Sequence, residues 1–175
     1  MEVGLFLIHV AIGVSLVAHG TQHLLGWFGG YGLQGTGDWM EGFGLRPGRL
    51  FAAAAGSAEL AGGALFALGL VTPVAAALIA SVMFVASRTD HRGKGYWIYN
   101  GGSEYVLAIA AVVVGVAVNG AGAWSLDAAL GLDVDGLAWG LGALGTALAG
   151  AGGTLALRDR RAAAVEEPQA AGAAS

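Results

Sequence analysis

The sequence predicts an all-α protein, a polytopic bundle of transmembrane helices with a four-helix core and a fifth span on its C-terminal side. Three observations predict it. Hydrophobic residues make up 56% of the 175 residues and charged residues 11%, roughly half the charged share of an ordinary soluble domain, and mean hydropathy is +0.68. Five apolar stretches approach the roughly 20 residues that a bilayer-crossing helix needs. Every lysine and arginine falls near one set of their ends.

The five stretches run over 3–25, 50–70, 73–88, 103–119 and 136–157. The first has the position of a secretory signal but not its make-up: its leading charge is Glu2 rather than a basic n-region, and the apolar run is too long, so it is expected to be retained. The second, FAAAAGSAELAGGALFALGL, is interrupted only by Glu59, and LVTP makes a tight turn into the third. The third and fourth are the shortest. We expect residues 1–128 to form the core, 129–158 to add the fifth span, and 159–175, poor in large apolar residues after Arg161, to be a disordered tail.

With five spans the connections alternate between two sides. Arg46, Arg49, Arg88, Arg92, Lys94, Arg158, Arg160 and Arg161 all fall on one side, and Asp127, Asp133 and Asp135 on the other. An even number of spans would break this partition. The positive-inside rule then predicts an N-terminus outside and a C-terminus in the cytoplasm. The expected surroundings are membrane lipid, with a soluble or membrane redox partner and self-association as candidate contacts and nucleic acid not expected. The chain has no cysteine, which excludes disulfides, thiolate metal sites, CxxCH haem attachment and thiol redox chemistry. Any redox role needs a bound cofactor.

Chemistry inside the bilayer falls to four ionisable residues: His19 and His23 in the first span, Glu59 in the second and Glu104 at the start of the fourth. At 1.5 Å per residue Glu59 lies roughly 14 Å from the cytoplasmic start of its helix and His19 roughly 10 Å from the cytoplasmic end of its own, so the two are expected to meet. The i,i+4 spacing puts His23 on the face of His19, with Ser15 a turn further in. Intramembrane ionisable groups usually face the bundle interior and mark functional sites. Ala55, Gly56, Gly62 and Gly63 flank Glu59 at helical spacing, and Ala108, Ala111 and Gly115 follow Glu104 in the same way. Such stripes are either packing seams or ligand grooves, and Glu59 itself is either functional or a polar tie between helices. His9 is expected to be structural.

HxxxH beside a carboxylate can hold iron or zinc, but HExxH and a third strong ligand are lacking, and no metal site is assigned. GGYGLQG carries GxGxxG at Gly30, Gly32 and Gly35, yet a membrane helix precedes it where dinucleotide binding needs a strand. Its glycines are expected to fold Trp27, Phe28, Tyr31, Trp39 and Phe43 back to the membrane interface. The loop SRTDHRGKGYWIYNGGSEY, with Asp90, His91 and Lys94, is either a cover for the polar pocket or a basic anchor.

Four motifs in order, AHGTQHLLGWFGGYG, AAAGSAELAGGALFALGLVTP, DHRGKGYWIYNGGSEYVL and NGAGAWSLD, resemble the DoxX family of small prokaryotic membrane proteins over residues 4 to 128. The resemblance implies a DoxX-like four-helix core in a prokaryotic cytoplasmic membrane, and the family's link to thiosulfate:quinone oxidoreductase subunits implies quinone as the cofactor. Its motif positions fall here on His19, Gly20, Glu59, Gly62, Gly63, Gly102, Glu104, Gly120, Gly122, Ser125 and Asp127; His23 stands where a basic residue commonly follows. The expected function is a membrane subunit of a quinone-linked oxidoreductase, with His19, Glu59 and Glu104 as proton relay or quinone contacts, His23 secondary, and Gly62 and Gly63 a groove for quinone. A small transporter or a membrane scaffold is the alternative.

Overall fold

The computed structural model describes residues 2–172, with side chains described through Arg158. Among these residues it is helical and without strands: α1 (Glu2–Leu25), α2 (Gly32–Glu41), α3 (Gly48–Leu68), α4 (Thr72–Arg88), α5 (Glu104–Asn119), α6 (Leu126–Ala129) and α7 (Leu137–Gly172), with single 3-10 turns at Trp27–Gly29 and Ile98–Asn100. The five apolar stretches become α1, α3, α4, α5 and α7, with ends close to those hydropathy assigns except that α7 runs on to Gly172 rather than ending near 157. Three helices, α1, α3 and Leu137–Arg158 of α7, are long and apolar enough to cross a membrane. Helices α4 and α5 have 17 and 16 residues, about 25 Å of helix, a little short of the roughly 30 Å hydrocarbon core. The expected tail, 159–175, lies outside the residues whose side chains are described, although the backbone of α7 is helical to Gly172.

Helices α1 and α3 run antiparallel along a seam of glycines spaced seven apart. A Cβ on Gly20 would sit 2.6 Å from the Leu60 nitrogen and 2.7 Å from the Gly56 carbonyl, and one on Gly13 would sit 2.6 Å from the Gly63 carbonyl. Backbone therefore meets backbone along the seam, which is where dispersion between helices gains most when lipid supplies no hydrophobic drive. The other half of the bundle packs α4 against α5 and α7. Phe66, Ile79 and Val113 are fully buried there, and Ala75, Ala76, Ala80, Ala110, Ala117, Ala143 and Ala147 let the axes close in around them.

Asp127, buried in α6, ties the α3–α4 turn. Its Oδ1 accepts from the Val71 amide at 2.6 Å and its Oδ2 from the Thr72 amide at 3.0 Å and hydroxyl at 2.8 Å. Val71 needs this hold, since a β-branched residue at φ 41° is in a region such side chains rarely adopt. Asp127→Ala is expected to lower stability by about 2 kcal/mol, because it strands donors at a buried helix start. A denaturant titration in detergent reads the change, and an unchanged midpoint would contradict the role.

Charge separates along the bundle as predicted. Arg158 donates to the Arg88 carbonyl and packs its stem on Gly44, so the end of α4, Arg158 of α7 and the α2–α3 connection lie together at one end of the bundle. Glu2 accepts from the Ala123 amide and Asp135 packs on Gly120 at the other. The loop 26–49 contains α2, which hydropathy does not foresee. Gly37 and Gly48 allow it to turn tightly into α3, and a Cβ on Gly48 would collide with the Gly37 carbonyl.

Candidate functional site

A cavity of about 780 Å³ opens among α1, α2, α3, α4, α5 and α7. It begins at the start of the 89–102 loop at the basic end, where Asp90 and His91 form part of its wall, and reaches Ala11 and Ile12 on α1, Glu59 on α3, Val112 on α5 and Gly150 on α7. Val112 is eight residues from the start of α5 at the basic end, so the cavity extends inward by roughly 12 Å there. The lining is mostly apolar, with a few polar side chains converging on it. Size and character are those of a small-molecule site.

Glu59 is buried in the wall with its side chain 6% exposed, and its Oε2 lies 2.7 Å from Nδ1 of His23, 23% exposed. Apart from one another, these two atoms have no hydrogen-bond partner among the described residues. At 2.7 Å a proton must lie between them, on the imidazole or the carboxyl. The pair can thus hold and pass one proton.

The partner of Glu59 is His23, not the expected His19. Backbone height alone would pair Glu59 with His19, because Gly20 faces Gly56 and Leu60. Side chains, however, tilt toward the N-terminus of their own helix, and in antiparallel helices that tilt brings Glu59 toward the basic end and His23 away from it. They meet one turn beyond the backbone register. His19 lines the cavity on the same face, exposed, with its ring centroid 6.4 Å from that of His23. Ser15 continues the strip, its hydroxyl donating to the Ala11 carbonyl.

Glu104 does not join the group. Its carboxylate accepts from the Ile98 amide at 2.9 Å and closes the loop before α5, and it is not part of the cavity wall. Gly62 and Gly63 form no open groove either. A Cβ on Gly62 would lie 3.1 Å from Ile79 and Leu78 of α4, and one on Gly63 2.8 Å from the Gly13 carbonyl of α1. Neighbouring helices fill both places. The space beside Glu59 lies instead along Ala54, Ala55 and Ala58.

Only the start of the 89–102 loop, Thr89 to His91, lines the cavity. His91 donates from Nδ1 to the Gly101 carbonyl at 2.6 Å, which closes the loop on itself. Tyr105, Ser81 and Thr154 also line the cavity and escaped the sequence reading, since single hydroxyl residues in apolar helices carry no periodic signal. Trp39 was expected at the membrane interface; it lines the cavity and is also 43% exposed. Trp27, Phe28 and Tyr31 are exposed at 58%, 70% and 78%, as an interfacial loop requires. His9 donates to the Phe66 carbonyl near the opposite end and is buried outside the cavity. Among the described residues no group of three metal-ligating side chains is close enough to hold an ion.

No curated protein and no solved structure matches the chain. The family model for DoxX matches residues 4–92, which spans α1 to α4 with the Glu59 and His23 pair and stops short of Glu104 and of the cavity walls on α5 and α7. This match covers just over half of the sequence and, with the apolar helices, identifies an integral membrane protein that belongs to the DoxX family.

Proposed function

We propose that the chain is the membrane subunit of a quinone-linked oxidoreductase and that its cavity receives a quinone ring from the lipid phase. One observation carries the reading: α1 and α5 both line the cavity but do not pack along each other, which leaves a gap in its wall between them. Its lining residues Ala11, Ser15 and His19 on α1 and Tyr105, Ala108 and Val112 on α5 are exposed. A ligand dissolved in hydrocarbon can enter sideways through that gap, whereas a water-borne solute needs an axial path.

A bound quinone supplies a couple of two electrons and two protons. The residues here suit the proton side. Glu59 and His23 hold a proton between Oε2 and Nδ1, and His19 on the same face offers a second imidazole. Asp90 and His91 at the mouth offer a route between this proton and water on the basic side, which the positive-inside rule makes the cytoplasm. General acid–base groups within hydrogen-bond reach of the reacting oxygen are what such transfer requires. Apolar walls of alanine, valine and isoleucine give the ring its surface.

The test is binding. Protein purified from its native membrane is expected to carry quinone in its lipid extract, and the delipidated protein to bind decylubiquinone saturably, with Trp39 in the cavity wall reporting by fluorescence quenching that Trp39→Phe removes. Absence of both would defeat the reading. Solute flux into proteoliposomes, with no quinone binding, would favour a transporter instead.

A further inference from the structure

We infer that Ser81 is a second anchoring point in the cavity, opposed to the His23 and Glu59 pair, so that the bound molecule is held at two polar groups rather than one. The inference rests on the cavity being a ring-binding site. Ser81 lines the cavity from α4. Its hydroxyl differs from those of the other serines and threonines that line the cavity, Ser15, Thr89 and Thr154. Ser15, Thr21, Ser87, Thr89 and Thr154 each donate to a carbonyl three or four residues back, the usual way an apolar helix satisfies a hydroxyl. The Ser81 hydroxyl makes no such bond, nor any other among the described residues. A hydroxyl left without a partner in an apolar cavity is disfavoured unless something in the cavity completes it.

Two further features fit. On α7, Gly150 stands against Ser81, and a Cβ there would lie 2.9 Å from the Ser81 oxygen. The glycine therefore leaves the hydroxyl room where any other residue would crowd it. Second, Gly62 of α3 packs on Leu78 and Ile79 of α4, and one helical turn toward the basic end from that contact brings Glu59 on α3 level with Ser81 and Val82 on α4. The backbone positions that carry the carboxylate on α3 and the hydroxyl on α4 thus stand level on different walls, with the imidazole of α1 at the carboxylate. A molecule that meets both carries hydrogen-bonding oxygens on two edges of a planar ring, as a 1,4-quinone or its quinol does. A ring with oxygen on one edge meets only one.

Calorimetric titration of the full chain in detergent tests this with two probes, 2-methyl-1,4-naphthoquinone, which has oxygen on both edges, and 1-tetralone, which has oxygen on one. Ser81→Ala is expected to weaken the naphthoquinone about five- to tenfold, the worth of one hydrogen bond, and to leave tetralone unchanged. Ser81→Thr, which keeps the hydroxyl, is expected to restore most of the naphthoquinone affinity. Equal naphthoquinone affinity in Ser81→Ala and the unaltered protein would overturn the second anchor while leaving the quinone reading intact. Equal weakening of both probes would overturn it as well, since that pattern marks a change of cavity shape. Failure of the unaltered protein to bind either probe would overturn both the anchor and the site.

Discussion

Gly20→Leu is expected to abolish the folded bundle. The new side chain would begin 2.6 Å from the Leu60 nitrogen and 2.7 Å from the Gly56 carbonyl. No side chain stands there that can rotate aside, so α1 and α3 must move apart along their whole seam. Overpacking a core by one or two methylenes typically costs about 1–3 kcal/mol. Four added carbons against backbone on both sides reach or exceed the top of that range, comparable with the stability of a small domain. Gly115→Leu is the control, since a Cβ at Gly115 meets nothing within 4 Å, and it is expected to be neutral. Size-exclusion profiles and denaturant midpoints in the same detergent separate the two, and a Gly20→Leu protein as monodisperse and stable as the Gly115→Leu protein would defeat the seam argument.

That seam also explains how much of the site could be read in advance. Hydropathy and the segregation of arginine and lysine locate the helices and their alternation because both are one-dimensional signals. Glu59 is legible for the same reason, as a carboxylate in an apolar run. Its partner is not, because helical height places His19 level with it while side-chain tilt in an antiparallel pair selects His23. Gly62 and Gly63 mark a face without bulk, but sequence does not say what fills such a face; here α4 and α1 do. Glu104 reads as an intramembrane carboxylate because the local sequence does not reveal that the loop before α5 folds back to give it the Ile98 amide. Helix α2 is hidden for another reason. Three glycines in GLQGTGDWME lower its intrinsic helix preference, and its packing on α3 overrides that preference.

The separation between family and cavity follows from the same geometry. The matched region, 4–92, supplies the carboxylate and imidazole on α1 and α3 and the α4 wall with Ser81. Tyr105, Ala108, Ile109 and Val112 of α5 and Gly150 and Thr154 of α7 close the cavity from outside it. The His23 and Glu59 pair thus lies within the family region, while part of the cavity wall lies beyond it.

Whether the His23 and Glu59 pair works chemically or only joins α1 to α3 is decided by replacing its members separately and together. Glu59→Leu leaves His23 Nδ1 without its partner, and His23→Leu leaves Glu59 Oε2 so. Each is expected to lower stability by about 1–3 kcal/mol, the penalty for a buried polar atom left unpaired. The double replacement strands neither, so it is expected to be more stable than the sum of the two losses by about 1–2 kcal/mol, the upper part of the range for hydrogen bonds between membrane helices. A purely structural tie ends there, and the double variant would then retain full activity. A proton-handling pair predicts more. Glu59→Gln keeps an amide within reach of His23 and is expected to hold stability within about 1 kcal/mol, yet it offers no exchangeable acid. Quinone reductase activity of membranes carrying it is expected to fall by at least about a hundredfold, the lower bound for losing a positioned acid–base group, while decylubiquinone affinity stays within a few fold. Activity retained in Glu59→Gln and in the double variant would assign the pair to helix packing, and the proton route would then have to begin at His19.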